Sequence, residues 1–345
     1  MNPIASVVQL ISEGLDPKAP KSSGPLTLVP LFGGLPAKEY LVGADAFADG
    51  SLTITEVDEA GDVTHLEAHN QSSLPVLLID GEHLEGAKQN RILNATVLVA
   101  ANRTTILPVA CVEHGRWHYE AGSDFAPSPD IAYGELRSKN AARRATNVRA
   151  SGSRAVDQSE VWAEVGMMHE RLGSFSETGA MGAGYDSRRE ELDTIKAPFL
   201  VPEQGQTGVI ACIDGRAVAL DAFDRPETLS KLWPRLLSGY ALDAVDRKES
   251  VIGDEVIAAF LARAAAAETT SHEGLGLGMD VVLTAPDVVG NALTWDEGIV
   301  HLALFARSGD PDSTQGYRAQ RIEAPSRRSR SRGTIIHGSA DGSEQ

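Results

Sequence analysis

The chain has 345 residues, 42% of them hydrophobic and 23% charged, with a formal net charge of −17. This is the composition of an ordinary globular protein, long enough for a sizeable core. No apolar run approaches the ~20 residues of a membrane-spanning helix, so membrane insertion is not expected, and the negative charge disfavours nucleic-acid binding by the body of the protein.

In chain order, MNPIASVVQLISEGL lacks a basic region followed by a long apolar stretch. A secretory signal is therefore not expected, and a cytoplasmic location is. Ile4, Val7, Val8, Leu10 and Ile11 suit a short amphipathic helix that docks on something. Residues 16–25 (DPKAPKSSGP) read as a polar linker. Residues 26–32 read as a strand, 43–48 as a helical turn, 52–57 as a second strand, 59–62 as a turn and 63–69 as a third strand.

A hairpin signal then recurs. Asp80-Gly81, Glu113-His114-Gly115-Arg116, Asp214-Gly215 and Asp296-Glu297-Gly298 each place glycine between apolar runs, and glycine supplies the positive φ of a tight turn. The runs PVACVE and VIACID hold the two cysteines, Cys111 and Cys212, as core thiols of a reducing compartment with no zinc-ligand spacing around them. The likeness of 109–116 to 210–216 is explained by a duplication or by a shared hairpin solution.

Helices are predicted over 130–149 and 157–172, with Pro129 before the first and Gly173 after the second. Residues 175–187 read as a glycine-rich mobile loop, 188–195 as a short helix and 208–223 as a hairpin. Residues 226–245 read as a helix with a kink or restart at Pro234, and 254–268 as an alanine-rich helix. Strands over 275–283, 288–295 and 299–305 then close a meander. The expected fold is α+β, with mainly antiparallel sheets built from hairpins around a central helical section. Its parts are an N-terminal helix and linker (1–25), a domain over 26–308 and a disordered Arg-rich tail over 309–345. The domain divides into sub-lobes 26–125 and 200–308 joined by helices over 126–199.

Four polar constellations interrupt this pattern. Glu82, His83 and Glu85 suit acid–base work, or else a solvated turn; one histidine alone argues against a metal. Gln89, Asn90 and Arg91 line up amide and guanidinium donors that fit a planar amide, carboxylate or phosphate, and the same residues serve equally to staple sheets together. Glu113, His114, Arg116, Trp117 and His118 sit on an expected hairpin turn, with Glu113 and Arg116 as further ligand contacts. Arg137, Lys139, Arg143, Arg144, Arg149 and Arg154 form a basic excess suited to anion recognition or to a solvated helix face. Gly179, Gly182 and Gly184 lack the order of a dinucleotide fingerprint, and no nucleophile elbow is present. No cofactor is expected.

Several segments together carry a family resemblance. They are Gly86-Ala87-Lys88-Gln89-Asn90-Arg91, Cys111-Val112-Glu113 with Gly115-Arg116-Trp117, and Asp157-Gln158 with Val161-Trp162. The run LWPRLLSGYALDA from Leu232 and His301-Leu302-Ala303-Leu304-Phe305 complete the set. Over roughly residues 26–307 the chain resembles the bacterial ARPP family, named for association with ADP-ribosylglycohydrolases and rhodanese-phosphatases. The resemblance implies a setting in NAD or ADP-ribose metabolism and carries no catalytic residues over.

Two functions from different classes follow. One is a cytoplasmic accessory protein of NAD/ADP-ribose-linked metabolism that binds a nucleotide-like or phosphate-bearing anion through Gln89, Asn90, Arg91, Glu113 and Arg116. The other is a non-catalytic scaffold or self-assembling homo-oligomer whose N-terminal helix and basic tail bind partner proteins, the tail being the one place where nucleic acid could bind. A carboxylate-dependent hydrolase using Glu82 or Glu113 as base is the third and weakest reading.

Overall fold

In Gly208–Ile213 the residues Val209, Ala211 and Ile213 join one hydrophobic cluster, while Ile210 and Cys212 join another on the opposite face. Side chains alternate along a strand, so a strand apolar at every position belongs in the middle of a sheet covered on both faces. That sheet is the frame of the molecule. The computed structural model describes residues 2–34, 36–57, 63–116 and 125–307, and among these it has eight α-helices and 18 strands in mostly antiparallel sheets, an α+β fold.

The largest sheet has nine strands, with Gly208–Ile213 between Leu26–Gly33 and Arg216–Phe223, followed by Gly298–Ala306, Val288–Trp295, Met279–Thr284 and Glu268–Glu273. The helices Gly134–Ser151 and Pro226–Ala244 lie on one face; the helices Pro3–Gln9 and Asp254–Ala265 lie on the other. A six-stranded sheet runs Ala126–Ile131, Glu82–Glu85, Arg91–Leu93, Arg103–Cys111, His65–Asn70, Leu52–Glu56. A three-stranded sheet sets Val76–Leu78 between Val97–Val99 and Leu41–Val42 and contains a parallel pair.

Several expectations change in three dimensions. Residues 16–25 are not a linker: Leu15–Pro17 and Lys21–Ser23 both pair with Leu26–Gly33 and edge the large sheet. The apolar stripe of the N-terminal helix is used within the domain, where Val7 and Ile11 pack with Ile257 and Phe260. Asp80-Gly81 closes no hairpin. It carries the chain from Val76–Leu78 in the three-stranded sheet to Glu82–Glu85 in the six-stranded one. Asp214-Gly215 and Asp296 are true hairpin turns with positive φ. Of the two cysteine-bearing look-alikes, therefore, only 210–216 closes a hairpin within the described residues.

Residues 126–131 form a strand on Glu82–Glu85, so the first long helix begins at Gly134 rather than Asp130. Its first-turn N–H groups at Gly134 and Glu135 donate to the Asp243 carboxylate, as donors without a helical partner require. The glycine-rich 175–187 stretch holds a short helix, Gly182–Ser187. Pro226–Ala244 runs unbroken through Pro234. Pro234 and Ser230, whose carbonyl loses its helical donor, both face solvent, where water can replace that bond. The chain leaves the alanine-rich helix at Ala265, and Glu268–Glu273 is an edge strand paired to Met279–Thr284. The expected 59–62 turn, Trp117, His118 and the 309–345 tail lie outside the described residues.

Candidate functional site

The polar run that follows Asp80 enters the six-stranded sheet and is largely buried. Gln89 donates from Nε2 to the Glu113 carbonyl at 2.9 Å, and the Asn90 N–H donates to Glu113 Oε2 at 3.2 Å. Arg116 donates from Nε to the same Oε2 at 2.8 Å, from Nη2 to Asn90 Oδ1 at 2.9 Å and from Nη1 to the Ala87 carbonyl at 2.8 Å. Thr178 reaches Glu113 Oε1 at 2.9 Å, and the 113 and 180 backbones form an isolated bridge. Arg91, 0% exposed, donates from Nη1 to the Gln89 carbonyl at 3.1 Å and lies 3.8 Å from the Glu56 carboxylate.

All five candidate ligand contacts thus meet in one place. Gln89, Arg91, Glu113 and Arg116 are buried there and Asn90 is half-buried. Burial pushes the Glu113 carboxyl up, but hydrogen bonds from Arg116, Thr178 and the Asn90 N–H outweigh it and hold the group below its ordinary value. Three segments of the family resemblance, 86–91, 111–116 and the Gln158 region, meet at this knot. Gln158 grips Cys111 through its N–H at 2.8 Å and its carbonyl at 2.7 Å, closing the strand end as a neighbouring strand would. Cys111 Sγ sits 3.0 Å from Gln89 Oε1, and its thiol is pushed up by burial. His114 packs edge-on against Trp162 at 4.4 Å.

Glu82, His83 and Glu85 do not act together. Successive strand residues face opposite ways. Glu82 is buried, accepts the Ile79 N–H at 2.9 Å and faces Arg235 at 3.3 Å. Burial pushes its carboxyl up against the pull of Arg235. His83 is buried with neither ring nitrogen hydrogen-bonded, 3.7 Å from Glu85 Oε1, and desolvation holds it below the usual imidazole range. Among the described residues no group of three or more His, Cys, Asp or Glu side chains is placed to hold a metal ion.

A second cluster was not anticipated from sequence. Arg137 meets Asp221 with two bonds, 3.0 Å from Nη1 and 2.6 Å from Nη2, and reaches Asp80 Oδ2 from Nε at 3.3 Å. His301 Nε2 lies 3.0 Å from Asp221 Oδ1 and its Nδ1 lies 2.8 Å from Thr96 Oγ1. Thr96 also donates to Asp80 Oδ1 at 3.2 Å, and the Tyr240 hydroxyl donates to Asp221. Phe223 stacks on His301 at 4.8 Å. Desolvation raises Asp221, but Arg137 and His301 overcome it and hold its carboxyl far below the usual range. Gly81, at φ +85°, is required here: a Cβ would come within 2.8 Å of the Arg137 side chain. The visible signal was a single charged residue inside an apolar strand, Asp221 in AVALDAF and His301 in GIVHLALFA.

The cluster also resolves the basic excess over 137–154. Lys139 pairs with Glu164, Arg143 with Glu160, Arg149 with Glu268 at 3.0 Å and Arg154 with Asp280 at 3.1 Å. Lys139, Arg143 and Arg149 thus form an exposed, ion-paired helix face, while Arg137 and Arg144 are buried, so the six do not stand together to meet an outside anion.

Fold and site define an α+β protein with two buried polar clusters. The family model described as the ARG and Rhodanese-Phosphatase-superfamily-associated Protein domain, ARPP-1, matches residues 14–305, and the chain belongs to that family. No curated protein and no solved structure shows significant similarity to it.

Proposed function

We propose that the chain is a non-catalytic, cytoplasmic accessory protein of ADP-ribose-linked metabolism that works by associating with partner proteins. The observation that supports this is the closure of the knot around Glu113. Gln89, Asn90, Glu113 and Arg116 direct their hydrogen bonds at one another and at the surrounding backbone, and Arg91 joins them through Nη1 alone. A nucleotide-like anion would have to replace the Arg116–Glu113 pair, 2.7 Å apart with both side chains buried. Leaving either partner buried and unpaired would cost roughly 3–5 kcal/mol. The knot is better suited to holding a surface rigid than to exchanging ligands. No helix among the described residues is long and apolar enough to cross a membrane. The family description, which names association with ARG and the rhodanese-phosphatase superfamily, supports a partner of one of those two kinds. The acidic body and the basic run SRRSRSRG offer charge of both signs for the contact.

The test is co-elution of the purified full chain with each of those enzymes, beside a calorimetric titration with ADP-ribose. Association that weakens with salt, and no heat from ADP-ribose, is the expected result. Micromolar ADP-ribose binding that Arg116→Met abolishes would return the site to the anion-binding reading.

A further inference from the structure

Among the basic residues of the 137–154 segment, Arg144 differs from the rest. Its side chain is 1% exposed, and among the described residues it lies within 4.0 Å of no carboxylate and makes one hydrogen bond, from Nη1 to the Asn94 carbonyl at 3.1 Å. Its Nε meets no acceptor, and both polar side-chain atoms of Asn94, itself 3% exposed, are likewise without a hydrogen-bond partner. These groups border a single cavity of about 10 Å³, with Asp80, Arg137 and Asn140 around it. The Asp80 oxygens are taken by Arg137 and Thr96, so they do not answer Arg144.

A guanidinium withdrawn from water without an acceptor costs several kcal/mol, and an unpaired buried amide adds to that. A native fold does not leave several such groups around one polar hollow. The cavity has the room of about one heavy atom, since ~10–15 Å³ is the least that a water needs. Phosphate and carboxylate groups are too large for it. We propose that the Arg144–Asn94 cavity binds a single-atom hydrogen-bond acceptor, a halide ion or a water molecule, donated to by Arg144 Nε and the Asn94 amide. The site stands apart from the Glu113 knot and is independent of the partner-binding reading. It lies at the end of the chain Asp80–Thr96–His301–Asp221–Tyr240, and its occupant closes the last uncompensated stretch between the Gly134–Ser151 helix and the turn after Arg91–Leu93.

Crystals of the full chain grown in sodium bromide and in sodium gluconate test this, read with bromide anomalous scattering. The first supporting outcome is an anomalous peak within hydrogen-bond reach of Arg144 Nε and Asn94. It comes with an unfolding midpoint that rises with bromide at fixed ionic strength, and it identifies a halide. The other is an ordinary solvent peak there in both salts, with no halide dependence of the midpoint, which identifies water. A map that shows other buried waters but no density at this position overturns the proposal. Asn94→Leu, which fills the space and removes the amide, should lower the midpoint and expel the density. An unchanged or raised midpoint counts against an occupant. Should that variant not fold, the wild-type maps decide alone.

Discussion

Replacing Asp221 by Asn tests whether the buried cluster holds the sheets together. Asn keeps the size of the side chain but removes its charge and turns one oxygen into a donor. Asp221 is 0% exposed and receives Arg137 twice, at 3.0 and 2.6 Å, with His301 at 3.0 Å and the Tyr240 hydroxyl besides. In Asp221→Asn the amide nitrogen must face one of these donors, and Arg137 keeps one of its two bonds to residue 221 beside the longer bonds to Asp80, 3.3 and 3.5 Å. Breaking one side of a buried pair costs ~3–5 kcal/mol, a large share of the ~5–15 kcal/mol that a domain holds. Urea unfolding of the full chain at pH 7 is the assay. The double variant Arg137→Met/Asp221→Leu should recover much of the loss, because replacing both charges by apolar groups is often close to neutral. The depressed folded-state value of Asp221 means that its stabilisation is present above the unfolded value of ~3.9 and disappears as pH falls through the folded value. The acid limb should therefore flatten in the Asn variant. A loss below about 1 kcal/mol, or a double variant no better than Asp221→Asn, would refute the reasoning, since charge removal from a working pair must cost more.

Three further outcomes are expected. Arg116→Met should lower stability by ~3–5 kcal/mol, the cost of leaving the Glu113 carboxylate buried without its partner, and a thermal melt that does not move would show the Glu113 knot to be slack. His83 has a depressed folded value, so the unfolded state takes up its proton first and stability falls as pH drops below ~6.5. His83→Phe should remove up to ~1.4 kcal/mol per pH unit of that slope, and an identical slope in both proteins would exclude His83 as its source. Asp243 has its carboxyl raised to about 7 by burial, so its contribution is full below ~3.9 and is lost as pH rises through that value. Asp243→Asn keeps an acceptor for the Gly134 N–H and should level stability between pH 4 and 7, which urea midpoints across that range would show.

Where the controlling forces are local, the amino-acid sequence determined the outcome. Asp157 caps the Gln158–Leu172 helix and Gly173 ends it in the left-handed region. Asp214-Gly215 turns a hairpin, and the unbroken apolar run of Gly208–Ile213 marks a central strand. The family resemblance and the α+β class were legible for the same reason, because they rest on short contiguous patterns. The gathering of Gln89, Asn90, Arg91, Glu113 and Arg116 was legible only as a possibility of stapling or binding. That Thr178 and the Ala180 backbone also meet Glu113 there came only from the fold.

Tertiary structure alone decided the rest, and the reason is sequence separation. Whether Asp80-Gly81 is a hairpin depends on Val97–Val99 claiming Val76–Leu78. Whether residues 130–133 are helical depends on Glu82–Glu85 pairing with the preceding strand and on Asp243 capping from another helix. Thr96 and His301, 205 positions apart, meet only when the turn before Val97–Val99 packs on the strand Gly298–Ala306. A lone charge inside an apolar strand announces that it needs a partner. Which partner it finds is set by the packing of elements that no local pattern encodes.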